Sequence, residues 1–329
     1  MKKIKYYLEL VNNFTKRDLK VRYSSSILGF LWIFFYPISM TVIASLVFSI
    51  VFKSTIEKVP YFLFAMIGLI SWNFFMQTVL VSTRTLVWNR ELIDNTNFPK
   101  DALIIATSFS KTVDFGLNMA VFLVAFFLSQ HQSLPPKVLL IFLTITTAQF
   151  LFQTGISFLT SSLNIYFRDV QNGIDIFLQV LFYLTPVVYP ITLIPQKFSF
   201  IFSLNPLTQI IEMYREIFFK QVINWQKLIF IWLISASFFI IGYKVFKRLE
   251  KNFADVIWKT QQLFSKGSAR VLTLTERISW KTVLLAFWRN HNDFGPYKML
   301  VSQLDQEKLL VFMVQMAQAK QWFLSLLLE

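Results

Sequence analysis

The sequence predicts an all-α integral membrane protein with six transmembrane helices, an N-terminal amphipathic interface helix and short re-entrant helices between spans five and six. Two observations carry that expectation. Only 15% of the 329 residues are charged against 55% hydrophobic, and the charges gather between long uncharged runs. A span needs roughly 20 apolar residues to cross about 30 Å of hydrocarbon, and runs of that length are rare in soluble folds. The second observation is an unequal sharing of lysine and arginine between alternate loops, as membrane topology requires.

The uncharged runs are Tyr23–Phe52, Val59–Thr83, Phe115–Pro136, Val138–Phe167, Ile176–Gln196 and Leu228–Tyr243, the last lengthened by a snorkelling Lys244. The spans then start near Ile27, Tyr61, Ile104, Val138, Asp175 and Leu228. An even number puts both termini on one side. That side collects sixteen lysines and arginines against seven on the other, so both termini are expected in the cytoplasm. The domain division is 1–26 as interface helix, 27–256 as the six-span domain and 257–329 as a cytoplasmic extension without a motif.

Each segment adds a local expectation. Met1–Arg22 spaces Ile4, Tyr7, Leu8, Val11 and Phe14 helically among basic residues, which fits a helix on the membrane surface or else a solvated basic tail. Arg84–Asp101 is the longest polar segment between spans and carries Arg84, Arg90, Glu91, Asp94 and Asn95 before Pro99. It reads as a docking element for a soluble partner or as an ordinary polar connection. Lys111 and Asp114 are three apart and can pair along one helix face.

The fifth run is broken by Pro186, Pro190 and Pro195. Each proline removes a backbone donor, so the freed carbonyls need protein or water in place of lipid. Asn205 before Pro206 reads as an N-cap followed by proline at the first helical position. That helix carries Glu212, Arg215 and Glu216. Pro186, Tyr189, Pro190, Asn205 and Pro206 thus mark an outer gate or a simple outer cap.

The motifs offer no covalent chemistry. No cysteine is present, His131 and His291 are the only histidines, and neither a metal site nor a catalytic residue is expected. No G-x-x-x-x-G-K-[ST] cradle exists; Lys266, Gly267 and Ser268 lack its glycine spacing. No cofactor is expected on this chain. The net charge of +14 is assigned to topology, with no nucleic-acid partner. Aromatic residues, including Trp32, Phe35, Tyr36, Trp72 and Phe75, suit the apolar faces of sugars or pack against helices and lipid. The hydroxyls of Thr41, Ser45 and Ser49, and of Thr147, Thr154, Ser157 and Ser161, fit close helix packing, with a wet passage as the alternative.

Six segments, in order, resemble the permease subunits of type-2 ABC exporters for O-antigen, capsule or teichoic-acid chains. They are Arg17-Asp18-Leu19-Lys20-Val21-Arg22-Tyr23 with Leu28-Gly29-Phe30-Leu31-Trp32, Asn97-Phe98-Pro99-Lys100, Asn164-Ile165-Tyr166-Phe167-Arg168-Asp169-Val170, Pro186-Val187-Val188-Tyr189-Pro190, Leu204-Asn205-Pro206-Leu207-Thr208, and Arg248 through Val256. Residues 258–329 depart from the family. The resemblance implies a permease in the bacterial cytoplasmic membrane that moves a polyprenyl-diphosphate-linked glycan through a channel at the axis of a homodimer. Trp32, Phe35, Tyr36, Trp72, Phe75 and Thr154 are the channel-lining candidates. Two copies of a separate ATPase subunit would hold ATP and Mg beneath, touching the amphipathic start and Arg84–Lys100. Arg17, Lys20, Arg22 and Arg90 would attract the carrier diphosphate at the inner entrance, where plain positive-inside topology also accounts for them. The rivals are a type-2 permease for a drug, peptide or lipid, a membrane enzyme acting on polyprenyl-linked sugars, and a non-transporting scaffold.

Overall fold

Helices occupy the chain in the order α1 (Lys2–Ser24), α2 (Trp32–Phe52), α3 (Tyr61–Trp88), α4 (Arg90–Asn95), α5 (Asp101–Gln130), α6 (Pro136–Tyr166), α7 (Val170–Tyr183), α8 (Ser199–Leu204), α9 (Pro206–Arg215) and α10 (Trp225–Glu250). The structure, a computed structural model, describes residues 2–24, 32–52, 59–96, 98–131, 133–251 and 253. The expected extension, 257–329, lies outside the described residues.

Four helices, α3, α5, α6 and α10, are long and apolar enough to cross a membrane. α2 has 21 residues with Pro37 inside it, and the expected start at Ile27 lies outside the described residues. The fifth run departs from its expected span. Its helix, α7, begins at Val170, five residues before Asp175, and ends at Tyr183 after 14 residues, too few to cross as a straight helix. Pro186 has no N–H for the carbonyl four residues earlier, and its ring disfavours helical backbone at Thr185. Short 3-10 turns at Ile191–Leu193 and Gln196–Phe198 lead on to α8.

α3 is the centre of the bundle. Of its most apolar stretch 67% is buried, against 22% for α10, whose buried positions form one stripe: Leu228, Ile231, Ser235, Gly242 and Phe246. The rest of α10 exposes Ile229, Leu233, Ile240 and Ile241, and α5 exposes Val124 and Leu128. So broad an apolar exterior is unstable in water and is the ordinary surface of a protein solvated by lipid.

Polar side chains fasten the interior. Gln149 donates to the Ser71 carbonyl at 2.9 Å, Gln153 to Thr78 Oγ1 at 3.1 Å, and Asn164 to the Thr83 carbonyl at 2.9 Å, joining α6 to α3. Thr83 Oγ1 donates to Thr160 Oγ1 at 2.8 Å. Thr154, Ser157 and Ser161 are buried among these helices while Thr147 is exposed, so most of this hydroxyl stripe serves packing. α6 and α10 meet backbone to backbone: a Cβ on Gly242 would lie 2.1 Å from the Gly155 carbonyl oxygen.

Candidate functional site

The proline break between α7 and α8 is held by side chains, since it has no helical ladder of its own. Every carbonyl from Tyr183 to Val188 finds a donor. Tyr189 hydroxyl donates to the Tyr183 carbonyl at 2.7 Å, Asn205 Nδ2 to that of Leu184 at 3.4 Å, and the Val187 amide to that of Thr185 at 2.7 Å. Arg215 Nη1 donates to the Pro186 carbonyl at 2.8 Å and Nη2 to that of Val187 at 2.6 Å. Tyr61, the first residue of α3, donates its hydroxyl to the Val188 carbonyl. The full pairing follows from the cost of an unpaired carbonyl away from water, about 1–3 kcal/mol each by mutational data.

Arg215 is the centre of this arrangement. It is 4% exposed, its Nη1 also donates to Glu212 Oε1 at 2.8 Å, and its guanidinium carbon lies 3.6 Å from the centroid of the Phe64 ring. Nη2 makes a longer contact of 3.4 Å with the Phe64 carbonyl. A buried cation persists only when paired and hydrogen-bonded, and here the Glu212 carboxylate and the turn carbonyls supply both. Gly68 makes the approach possible, because a Cβ there would lie 2.2 Å from the Val187 oxygen and 2.7 Å from Arg215 Nη2.

All five residues assigned to the outer gate sit in this region. Asn205 caps α9 by accepting from the Leu207 amide at 3.0 Å, with Pro206 at the first helical position, and its amide nitrogen reaches Thr185 Oγ1 at 2.9 Å. Tyr61, Phe64 and Gly68 escaped the sequence reading, since their partners lie more than 100 residues away. The signal that existed was Arg215 itself, a charge beside a run whose carbonyls had lost their donors.

The other end of α3 carries a second constellation. After Asn89 the chain forms the short helix α4, in which Arg90, Glu91, Asp94 and Asn95 are exposed and Ile93 is buried. Ile93 and Phe98 anchor it in a cluster with Leu86, Phe246 and Phe253. Arg84 does not share this surface. It lies within α3 and pairs with Asp175 of α7 at 2.5 Å.

Beside α4, Asp101 opens α5 while 3% exposed, accepting from Tyr7 hydroxyl at 2.7 Å and Lys247 Nζ at 2.6 Å. It thereby joins α1, α5 and α10. Burial, and then the Asp101 carboxylate, push the Tyr7 hydroxyl well above the usual tyrosine range. α1 packs on α5 through Tyr7, Leu10, Val11 and Phe14, whereas Ile4 and Leu8 of the expected stripe are exposed.

Of the basic residues assigned to the carrier diphosphate, Arg22 pairs with Asp114 and reaches Ser110 at 3.2 Å, and Lys111 lies 3.5 Å from the same carboxylate. Arg17 pairs with the neighbouring Asp18 at 3.1 Å and stacks over Phe14. Lys20 and Arg90 are exposed.

Residues 9–219 match the ABC-2 type transporter family, and that match covers more than half of the chain. The chain belongs to the ABC-2 type transporter family. It is similar to an O-antigen export system permease protein RfbA of Klebsiella pneumoniae, 29% identical over 259 residues that cover 77% of this chain and 96% of the relative. A protein of the same name from Myxococcus xanthus is 28% identical over 259 residues, 76% of this chain and 96% of the relative.

In this ABC-2 transporter the channel-lining candidates are scattered. Trp72, Phe75 and Thr154 are 4%, 1% and 0% exposed, closed inside the protomer's own core. Trp72 packs edge-on against Phe182 at 5.4 Å, and Phe75 stacks on Phe152 at 5.8 Å. Such pairing favours the packing reading of these aromatics. Phe35 is 61% exposed on α2, and the side chains of Trp32 and Tyr36 lie outside the described residues.

Proposed function

We propose that this chain is the membrane-spanning permease subunit of an ATP-driven exporter that moves a lipid-linked polysaccharide across the bacterial cytoplasmic membrane. The observation that carries the proposal is the similarity to O-antigen export permeases along 96% of their length. The fold supports it, with lipid-facing helices around a polar-fastened centre. In this reading α2 and the broken α7 complete six spans with α3, α5, α6 and α10, both termini face the cytoplasm, and the subunit works as a homodimer around a channel. Phe35, exposed on α2, is retained as a channel-facing residue.

ATP and Mg belong to a separate ATPase subunit, two copies per exporter, because the sequence holds no phosphate cradle. That subunit docks on α4 and α1. The exposed Arg90, Glu91, Asp94 and Asn95 supply polar contacts, while Ile93 and the Asp101 junction tie α4 and α1 into the bundle. Lys20 and Arg90 attract the diphosphate of a polyprenyl carrier near the inner face. The proline break at the far end of α3 forms the outer gate.

The test is deletion of this chain in its own cell. Surface glycan is expected to disappear while carrier-linked glycan accumulates in the cytoplasmic leaflet; intact surface glycan refutes the function. Loss of a drug, peptide or lipid from the exterior with glycan unchanged would assign a different cargo. A second arm is biochemical. The purified chain alone is expected to release no phosphate from ATP, and release would refute the division of labour.

A further inference from the structure

We propose that Arg215 is a positioning residue that latches the proline break shut, and that this end of the molecule opens when the Pro186 and Val187 carbonyls leave its guanidinium for water. The role rests on reading the break as the outer gate and adds the group that keeps it closed. Three features make the contact a releasable latch. The bonds run from a side chain of α9 to the main chain of the break, at 2.8 and 2.6 Å, so neither α3 nor α9 must unwind when they part. Glu212, on the same helix as Arg215 and 2.8 Å from it, stays with the cation when the carbonyls depart, so no bare charge is stranded. The segment released is already free of helical hydrogen bonding, and its remaining ties come from Tyr61, Asn205 and Tyr189.

The geometry is specific to arginine. Two terminal nitrogens in a fixed fork meet two successive carbonyls while the planar face rests 3.6 Å from the Phe64 ring centroid. A lysine ammonium offers donors from a single point and cannot reproduce that spacing. Gly68 offers a second way to disturb the latch, from the α3 side, because a methyl group there meets the Val187 oxygen at 2.2 Å and Arg215 Nη2 at 2.7 Å.

The chain has no cysteine, so Val187→Cys introduces a lone thiol at a position that is 0% exposed. The reaction rate of this thiol with a membrane-impermeant maleimide, in cells producing the full exporter, reports opening. Ala148→Cys on α6, also 0% exposed, is the control for an intact fold. We expect Arg215→Gln to raise the Val187→Cys rate at least tenfold, Arg215→Lys to raise it less, and Gly68→Ala to raise it at least tenfold, with Ala148→Cys protected throughout. Unchanged rates in Arg215→Gln and Gly68→Ala with the control protected would overturn the latch. Where Arg215→Gln also exposes the control, unchanged rates in Arg215→Lys and Gly68→Ala overturn it equally. Rate ratios that appear only after the membrane is permeabilised support the latch and overturn the outer placement of the break.

Discussion

Removing the Tyr7 hydroxyl, with Tyr7→Phe, isolates one bond that holds α1 against the bundle. The hydroxyl donates to Asp101 at 2.7 Å, and Asp101 keeps Lys247 at 2.6 Å when the tyrosine partner is lost. A bond to a charged carboxylate contributes about 1.5 kcal/mol net or more, so the detached population of α1 is expected to rise roughly tenfold or more. Asp101→Ala removes both bonds and a favourable charge in the first turn of α5. The whole fold is expected to lose about 2–3 kcal/mol, while α1 detachment, opposed here by the Tyr7 bond alone, rises about as far as in Tyr7→Phe. Val11, on the face of α1 that packs against Ala102 and Ala106, is 6% exposed, so Val11→Cys labelling measures detachment. The raised Tyr7 hydroxyl loses its proton only above the ordinary value near 10. Its contribution is therefore fully present below about pH 10 and disappears as pH climbs through the higher folded value. Equal labelling in the parent, Tyr7→Phe and Asp101→Ala proteins would refute the junction. So would a pH dependence between about 6 and 9 that Tyr7→Phe abolishes.

Other outcomes follow from the same contacts. Alanine at both Arg90 and Glu91 is expected to reduce co-purification of the ATPase without loss of folded protein, whereas unchanged recovery removes α4 as the docking element. Gly242→Leu forces α10 away from Gly155, where even a Cβ would lie 2.1 Å from the carbonyl oxygen, and is expected to abolish folded protein in detergent; a normal gel-filtration profile would contradict that packing. Asn205→Ala removes the cap on α9 and the tie to Thr185 at 2.9 Å, and a loss of about 1–2 kcal/mol in thermal or denaturant unfolding is expected. Ending the chain after Val256 is expected to preserve export, and complete loss of surface glycan would show that residues 257–329 are needed.

The helices that the sequence located are those whose signal is one-dimensional. Uncharged length alone marks α3, α6 and α10, and the Asn205 and Pro206 pair marks the start of α9. The spacing of Lys111 and Asp114 likewise announced their contact, now 3.5 Å. Arg22 joining the same carboxylate did not show, nor did Arg84 meeting Asp175, because these partners lie 91 or 92 residues apart. Hydropathy also fixes the length of a helix and leaves its rotation about its own axis undetermined. That is why one helical spacing grouped Ile4 and Leu8, which are exposed, with Val11, which packs on α5, and why Trp72 and Phe75 were offered to a channel and lie in the core. The break was legible as a need, since three prolines leave carbonyls without donors, while the identity of the donors required the fold.

One continuous rod, α3, leads into the proposed docking element at its last turn and carries at its first Tyr61, which grips the break, and Phe64, which lies against Arg215. Its 28 residues measure about 42 Å. A tilt of only about 5° pivoting near Trp88 would swing Tyr61 through roughly 4 Å, more than the reach of a hydrogen bond. Leverage of this kind converts a small shove at one membrane face into the simultaneous parting of contacts at the other, with no unfolding along the shaft.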